Sequence, residues 1–210
     1  MSPGGFSVLI ALVAVNVVVS LVGFRALRGE RAAAERFLFV PYQVARGENG
    51  TGMLLAHFAH ANVLHLAFNM LALYSFAGPV LHVASPAWFL LIYAVAGLGS
   101  DLVVFALRRE DASYRCLGAS GSVFGIVMAA IVIDPTTSVI FFFVPVPIPG
   151  PMFMLGYAVI AIVLIARDRR GGISHEGHLG GAIAGLALGG LSAPRGIGPL
   201  LRWFAQWLGG

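Results

Sequence analysis

Lysine is absent from this chain, acidic residues are few, and cysteine occurs once, at Cys116. Thirteen arginines and nine acids supply all the formal charge over 210 residues, 10% of the chain, where a soluble domain carries about a quarter. A water-exposed fold so poor in charge would present wide apolar patches and aggregate. That excludes a soluble enzyme and a disordered chain alike. The net charge of +4 suggests a nucleic-acid partner, but no basic cluster with interleaved aromatics accompanies it, so none is expected. One cysteine cannot form an intrachain disulfide and says little about redox compartment. What fills the chain instead is 59% hydrophobic residues and 27 glycines, the latter about twice the ordinary share of roughly 7%. This is the composition of an integral membrane protein, with the lipid bilayer as its surroundings.

A helix crossing ~30 Å of hydrocarbon at ~1.5 Å per residue needs about 20 apolar residues. Six segments qualify, at about 5–24, 62–83, 86–107, 117–134, 152–166 and 177–194. The fifth and sixth are short and need flanking residues or local thinning of the bilayer. The runs are continuous rather than alternating, which excludes a strand barrel. No positive charge precedes the first run and its length exceeds a signal-peptide core, so it reads as a span. The expected fold is an all-α membrane protein, a six-transmembrane-helix bundle in one domain over 1–210, with both ends on one side.

The connections are uneven. Residues 25–60 form a long first loop, with a helix-favouring stretch from Arg25 to Phe39 and a turn-rich Gly47-Glu48-Asn49-Gly50 segment. In residues 135–151, Phe141, Phe142 and Phe143 precede Pro145, Pro147, Pro149 and Pro151. Prolines at every second position forbid a helix and suit a polyproline segment or a hairpin at the membrane surface. The tail, 195–210, carries Arg202, Trp203, Phe204 and Trp207 and reads as an interfacial anchor.

Polar side chains at membrane depth are costly and mark functional candidates. Three groups stand out. His60-Ala-Asn-Val-Leu-His65-Leu-Ala-Phe-Asn69 begins the second span. His65 and Asn69 share a helix face, whereas His60, about 140° away on an ideal helix, belongs to the turn above it. Gly118-Ala119-Ser120-Gly121 opens the fourth span, and His178-Leu179-Gly180-Gly181 the sixth. Gly121 with Gly125, and Gly181 with Gly185 and Gly189, form small-residue faces that let two helix backbones approach closely. Any one group has a bland reading, a satisfied buried histidine or a glycine packing seam. Together they begin the second, fourth and sixth spans, which start on the same side of the membrane at similar depth. They can therefore converge, and the chemistry they suit is acyl transfer. Ser120 is a poor nucleophile until a neutral imidazole takes its proton, and His178 can be that base. His65, the Asn69 amide and the Ser120 N–H can stabilise the oxyanion.

The arrangement His60-x4-His65-x3-Asn69, Gly118-Ala119-Ser120-Gly121 and His178-x2-Gly181-x3-Gly185 resembles the rhomboid intramembrane serine proteases. The resemblance covers about residues 55–190, most of the chain. It implies Ser120 as nucleophile and His178 as base in a catalytic dyad. It also implies an oxyanion hole from His65, Asn69 and Ser120, with support from His60, Phe124, Gly118 and Gly121. The implied substrates are transmembrane segments of membrane proteins, cut near the membrane surface at small residues where the helix unwinds. No metal or organic cofactor is implied. Two departures are visible. No Trp-Arg pair occurs between residues 25 and 60, which many members have. Phe124 stands where many carry tyrosine; its ring, one turn from Ser120, can still stack on His178.

Other residues are candidates of a different kind. Asp101 could orient His178 as a third member, or pair with an arginine or a loop backbone. His57 and His175 read as solvated loop residues, and Cys116, four before Ser120, as a nucleophile only remotely. Residues 167–177 would cap the site with Gly171 and Gly172 as hinges. The fifth span, lacking evident polar residues, would be a lateral gate. A catalytically inactive rhomboid-like chaperone or trafficking factor is the main rival, although such relatives typically lose the serine or the histidine. A metal-handling protein using His60, His65, His175 and His178 is a second, but no carboxylate or thiolate accompanies them at ligand spacing. Eleven of the thirteen arginines fall in the odd-numbered loops, which by the positive-inside rule puts the site side in the cytoplasm. The resemblance implies the reverse: a bacterial cytoplasmic (inner) membrane with the site facing the extracytoplasmic side.

Overall fold

Ser2 starts the first helix: its hydroxyl accepts from the Gly5 N–H at 3.1 Å, and Pro3 takes the first helical position, where a missing N–H loses no bond. In the computed structural model, which describes residues 2–141, 144–168 and 172–209, this helix, α1, runs Pro3–Ala26. The helix-favouring stretch from Arg25 to Phe39 is helical only in part, and the first loop is more divided than that stretch suggests. It holds three short helices, α2 Arg31–Glu35, α3 Pro41–Val44 and α4 Gly50–Ala56. Two local causes end α2 early. Phe39 exchanges both backbone hydrogen bonds with Cys116, at 2.8 and 3.1 Å, and Pro41 forces Val40 out of helical geometry, to φ −118° and ψ 90°. The turn-rich segment behaves as expected. Asn49 sits in the left-handed region at φ 55°, and its side chain caps α4 by accepting from the Gly52 N–H at 3.1 Å.

Asn62 caps α5, Val63–Val83, and Ser85 caps α6, Pro86–Arg108. The next helix, α7, is Ser120–Ile133, shorter than the expected 117–134 because Cys116 is held in its bridge and Gly118 adopts φ +129°. Its 14 residues span about 21 Å, less than the ~30 Å hydrocarbon layer. All of them except Ser120 and Phe124 are buried, since α5, α6 and α9 (His175–Ser192) wall it in. A helix sheathed in protein need not match the lipid thickness.

The 135–151 segment forms a hairpin, β1 Ser138–Phe141 with β2 Val144–Pro149, antiparallel. Pro149 lies opposite Ser138, and the next N–H, Gly150, donates to Thr137 at 2.8 Å. The proline nitrogen thus falls on the side of the strand that makes no ladder bond. Phe142 and Phe143 lie outside the described residues. Helix α8, Gly150–Ala166, follows, then α9 and finally α10, Gly198–Trp207. In α10, Leu200 is buried and Phe204 packs on the core, while Leu201 and Trp207 point outward, the amphipathic split expected of the tail.

Three helices, α1, α5 and α6, are long and apolar enough to cross a membrane by length and composition; α7 and α8 are shorter apolar helices. Their outer faces carry bare apolar side chains such as Val18, Leu71, Leu102 and Val159. The inner seam is built differently. In lipid, helices are held by close packing rather than by exclusion of water, and α9 meets α6 and α7 through glycine. A Cβ at Gly181 would fall on the Gly121 carbonyl, one at Gly185 on the Gly125 backbone, and one at Gly180 on the Gly99 carbonyl.

Candidate active site

The α9–α7 seam determines where the polar groups meet. Ser120 is the first residue of α7, and no side chain caps that helix, so the N–H groups of its first turn are open. The turn before it is glycine-dependent. Gly118 is at φ +129°, a value L side chains rarely adopt, and a Cβ there would lie 2.8 Å from His65 Cε1. Its N–H donates to the Ala56 carbonyl at 2.9 Å, tying the turn to the end of α4. Gly118 is thus wedged between the His65 imidazole and Ser120, which brings those residues to one place.

His178 stands in the first turn of α9, one turn above Gly181. Phe124 stacks flat on its imidazole, centroids 4.4 Å apart and planes 16° apart. Its Nδ1 lies 2.9 Å from the Tyr157 hydroxyl. Tyr157 belongs to α8, a helix that the sequence reading treats as free of polar residues, and this corrects it. A single tyrosine in an otherwise apolar span reads as packing, so the sequence did not mark it. Ser120 and His178 line one small cavity of about 30 Å³, with Asp101, Ser174 and Gly121. Among the described residues, no hydrogen bond joins Ser120 Oγ to His178.

The remaining expected residues divide. His60 is fully buried. Ser20 Oγ donates to the Phe58 carbonyl at 3.1 Å and lies 2.9 Å from His60 Nδ1. A hydroxyl has one proton, so satisfying both contacts makes His60 Nδ1–H the donor to Ser20. Desolvation, followed by the neighbouring His65, pushes the His60 pKa down to about 4. The imidazole is therefore neutral and packs edge-on to His65, centroids 5.0 Å apart. The Asn69 amide donates to the His65 carbonyl along α5, at 2.9 Å, which leaves its second N–H over.

Asp101 does not reach His178. Its carboxylate meets His57 Nε2 at 2.8 Å, with side chains 9% and 16% exposed, so His57 is a partnered, half-buried residue rather than a solvated one. His175 likewise opens α9 instead of lying in a loop, and is half-buried. Burial, then the nearby Asp101 and Glu176, raises the Cys116 thiol pKa, which disfavours the thiolate a nucleophile needs. Among the described residues, no three His, Cys, Asp or Glu side chains are grouped to hold a metal ion.

Sequence reasoning also missed an ion pair that anchors the site. Arg108 at the end of α6 contacts Glu176 in the first turn of α9, its Nε at 2.8 Å, and reaches Asp168 as well. Tyr114 donates to the cap residue Ser174 at 2.8 Å. The described part of the expected cap is thus tied to α6; Gly171 lies outside the described residues. Side-chain exposure is 13% for Arg108 and 6% for Glu176, so removing one partner strands a buried charge. Arg108→Ala is expected to lower stability by about 3 kcal/mol or more, read as an earlier unfolding midpoint in detergent. Arg108→Met/Glu176→Gln should recover most of the loss, since neither charge is then left unpaired.

A half-buried serine at a helix start, sharing a small cavity with a stacked histidine inside a glycine-tight helical membrane core, points to one class of protein. A Rhomboid domain model matches residues 48–195, and the chain belongs to the rhomboid family. It is 33% identical over 141 residues to the presenilin-associated rhomboid-like protein, mitochondrial, of Mus musculus, covering 64% of this chain and 36% of that one. The presenilin-associated rhomboid-like protein A, mitochondrial, of Danio rerio is 29% identical, with 73% and 41% covered. The rhomboid protease GluP of Bacillus subtilis is 30% identical, with 60% and 23% covered. The chain therefore spans well under half the length of these relatives.

Proposed function

We propose that this chain is an intramembrane serine endopeptidase that cuts transmembrane segments of other membrane proteins near the membrane surface. The observation that carries the reading is the meeting of Ser120 and His178 on one cavity, with the imidazole held by Phe124 on its face and Tyr157 at Nδ1. For His178 to act as base, its Nδ1–H donates to the Tyr157 oxygen, leaving Nε2 free to accept. Nε2 takes the Ser120 proton as Oγ bonds to the scissile carbonyl carbon, and the carbonyl oxygen becomes the oxyanion. The open N–H groups at the start of α7, in the positive end of its dipole, and the adjacent His65 are placed to stabilise it. Asn69 would contribute the amide hydrogen that its bond to the His65 carbonyl leaves free. His178 then returns the proton to the departing amine, and water, activated the same way, releases the acyl group from Ser120. That no hydrogen bond joins Ser120 to His178 among the described residues is compatible with this, since such contacts tighten when substrate binds.

The accompanying topology is six spans in a single domain, α1, α5, α6, α7, α8 and α9, with α10 lying in the interface. The site opens toward the extracytoplasmic side. The mitochondrial descriptions of the mouse and zebrafish relatives give no support to a bacterial cytoplasmic membrane, so the proposal is confined to an integral membrane position. A compartment-sensitive reporter at Gly210, active only when exported, would reverse the orientation. Helix α8, with Leu155, Val159 and Ile162 exposed, serves as the lateral gate; crosslinking it to α5 should stop cleavage.

The test is cleavage of a model transmembrane substrate in reconstituted membranes by wild type and Ser120→Ala. Cleavage confined to the wild type supports the proposal. Equal cleavage ends it, and cleavage by neither favours the inactive chaperone-like reading. A finer prediction concerns Tyr157. Tyr157→Phe keeps the ring cluster but removes the hydroxyl at Nδ1, which should slow turnover roughly three- to tenfold with KM unchanged, the worth of about one hydrogen bond. Steady-state kinetics on the same substrate would check it.

A further inference from the structure

At the end of the bundle opposite Ser120, the last residues of α5 and α7, the chain leaving α9 and one side of α10 line a partly open groove of about 450 Å³. Its lining combines Ile133 and Trp203 with Asp134 and the exposed Arg195, Arg202 and Gln206. The volume is that of a small-molecule site. Arg195 and Arg202 are the only arginines beyond residue 170, and among the described residues neither has a carboxylate partner. Asp134 is engaged with its own turn, where Oδ1 accepts from the Thr136 N–H at 3.0 Å and from its hydroxyl at 2.6 Å. Two arginines less one aspartate leave the cavity at +1. Two arginines beside a groove whose one carboxylate is engaged with its own turn point to an anionic ligand.

The position selects the anion. Helix α10 seats Leu200 and Phe204 against the protein and turns Leu201, Trp207 and Leu208 outward, with tryptophans of the kind found at headgroup level. A cavity under such a helix opens where lipid phosphates lie. We propose that it binds the headgroup of an anionic phospholipid, the phosphodiester held by the Arg195 and Arg202 guanidiniums and the glycerol against Trp203 and Ile133. Planar guanidiniums suit paired phosphate oxygens. One phosphodiester charge balances the local +1, whereas a more highly charged free phosphate would exceed it and face Asp134. A zwitterionic headgroup brings an ammonium that both arginines repel.

The test uses the full chain in lipid discs of phosphatidylcholine containing phosphatidylglycerol, with retained lipid counted by native mass spectrometry after transfer to detergent. Wild type should keep phosphatidylglycerol in preference to phosphatidylcholine. R195Q/R202Q, two exposed changes outside the helix core, should lose about tenfold or more of that retention. Inorganic phosphate added alone should not displace the lipid. Equal retention by wild type and R195Q/R202Q overturns the proposal, and so does displacement by inorganic phosphate, which would reassign the site to the free anion.

Discussion

Gly181→Val is expected to prevent assembly of the helix core, and Gly181→Ala to weaken it severely. A Cβ at Gly181 falls on the backbone of Gly121, and the equivalent atom at Gly185 falls on the backbone of Gly125. Helical backbone cannot swing aside as a flexible side chain would, so the two helices must part. Overpacking in a dense core costs about 1–3 kcal/mol even where side chains can adjust, and separating α7 from α9 also forfeits packing along the whole seam. Gly156 on α8 is the control, because nothing lies within 4 Å of a Cβ built there. Gly156→Ala should be neutral or stabilising by up to about 1 kcal/mol. Recovery of monodisperse protein and its unfolding midpoint in detergent would read both. A Gly181→Val protein as stable as wild type would mean that the two backbones do not lie this close. For Gly181→Ala, activity should fall further than stability, because the strained contact adjoins Ser120 and sits one turn from His178.

That seam also shows which features the sequence carries and which it withholds. Helix order was legible because the apolar runs are long and set apart by arginine-bearing or turn-rich connections. The glycines predicted to join the fourth and sixth spans do meet, and Gly99 of α6 joins them. The length of α7 was not legible: an apolar residue reads the same whether lipid or protein surrounds it. Nor was the break after Glu35, which depends on the Phe39–Cys116 bridge, a pairing across 77 positions. Ser120, His178 and His65 could be picked out because a polar residue beside a glycine motif is conspicuous in an apolar chain, whereas Phe124 came only from the resemblance. Tyr157 could not, as one tyrosine in a span reads as packing and its partner lies 21 residues on. The His57–Asp101 and Arg108–Glu176 pairs, 44 and 68 residues apart, arise only when α6 is laid against α4 and α9. Local periodicity carries no such information.

His178→Ala should reduce turnover by about a thousandfold or more, because it removes the group proposed both to take the Ser120 proton and to return one to the leaving amine. The size of the effect separates a base from a packing residue. Losing only the ring's contact with Phe124 would cost about 1 kcal/mol, a factor of roughly five in rate. Stability should fall only by that contact and the hydrogen bond to Tyr157, about 2 kcal/mol together, so the variant remains a folded protein with a defined unfolding midpoint. Residues acting on one proton are also non-additive. Ser120→Ala/His178→Ala should therefore be no slower than either single variant, with the remaining rate set by oxyanion stabilisation and substrate positioning. If the two losses multiplied instead, serine and histidine would be acting independently and the dyad would be wrong. Phe124→Leu supplies the complementary measurement. It keeps apolar bulk beside the imidazole but removes the flat face, so turnover should fall by a factor of a few while the dependence on Ser120 and His178 stays intact.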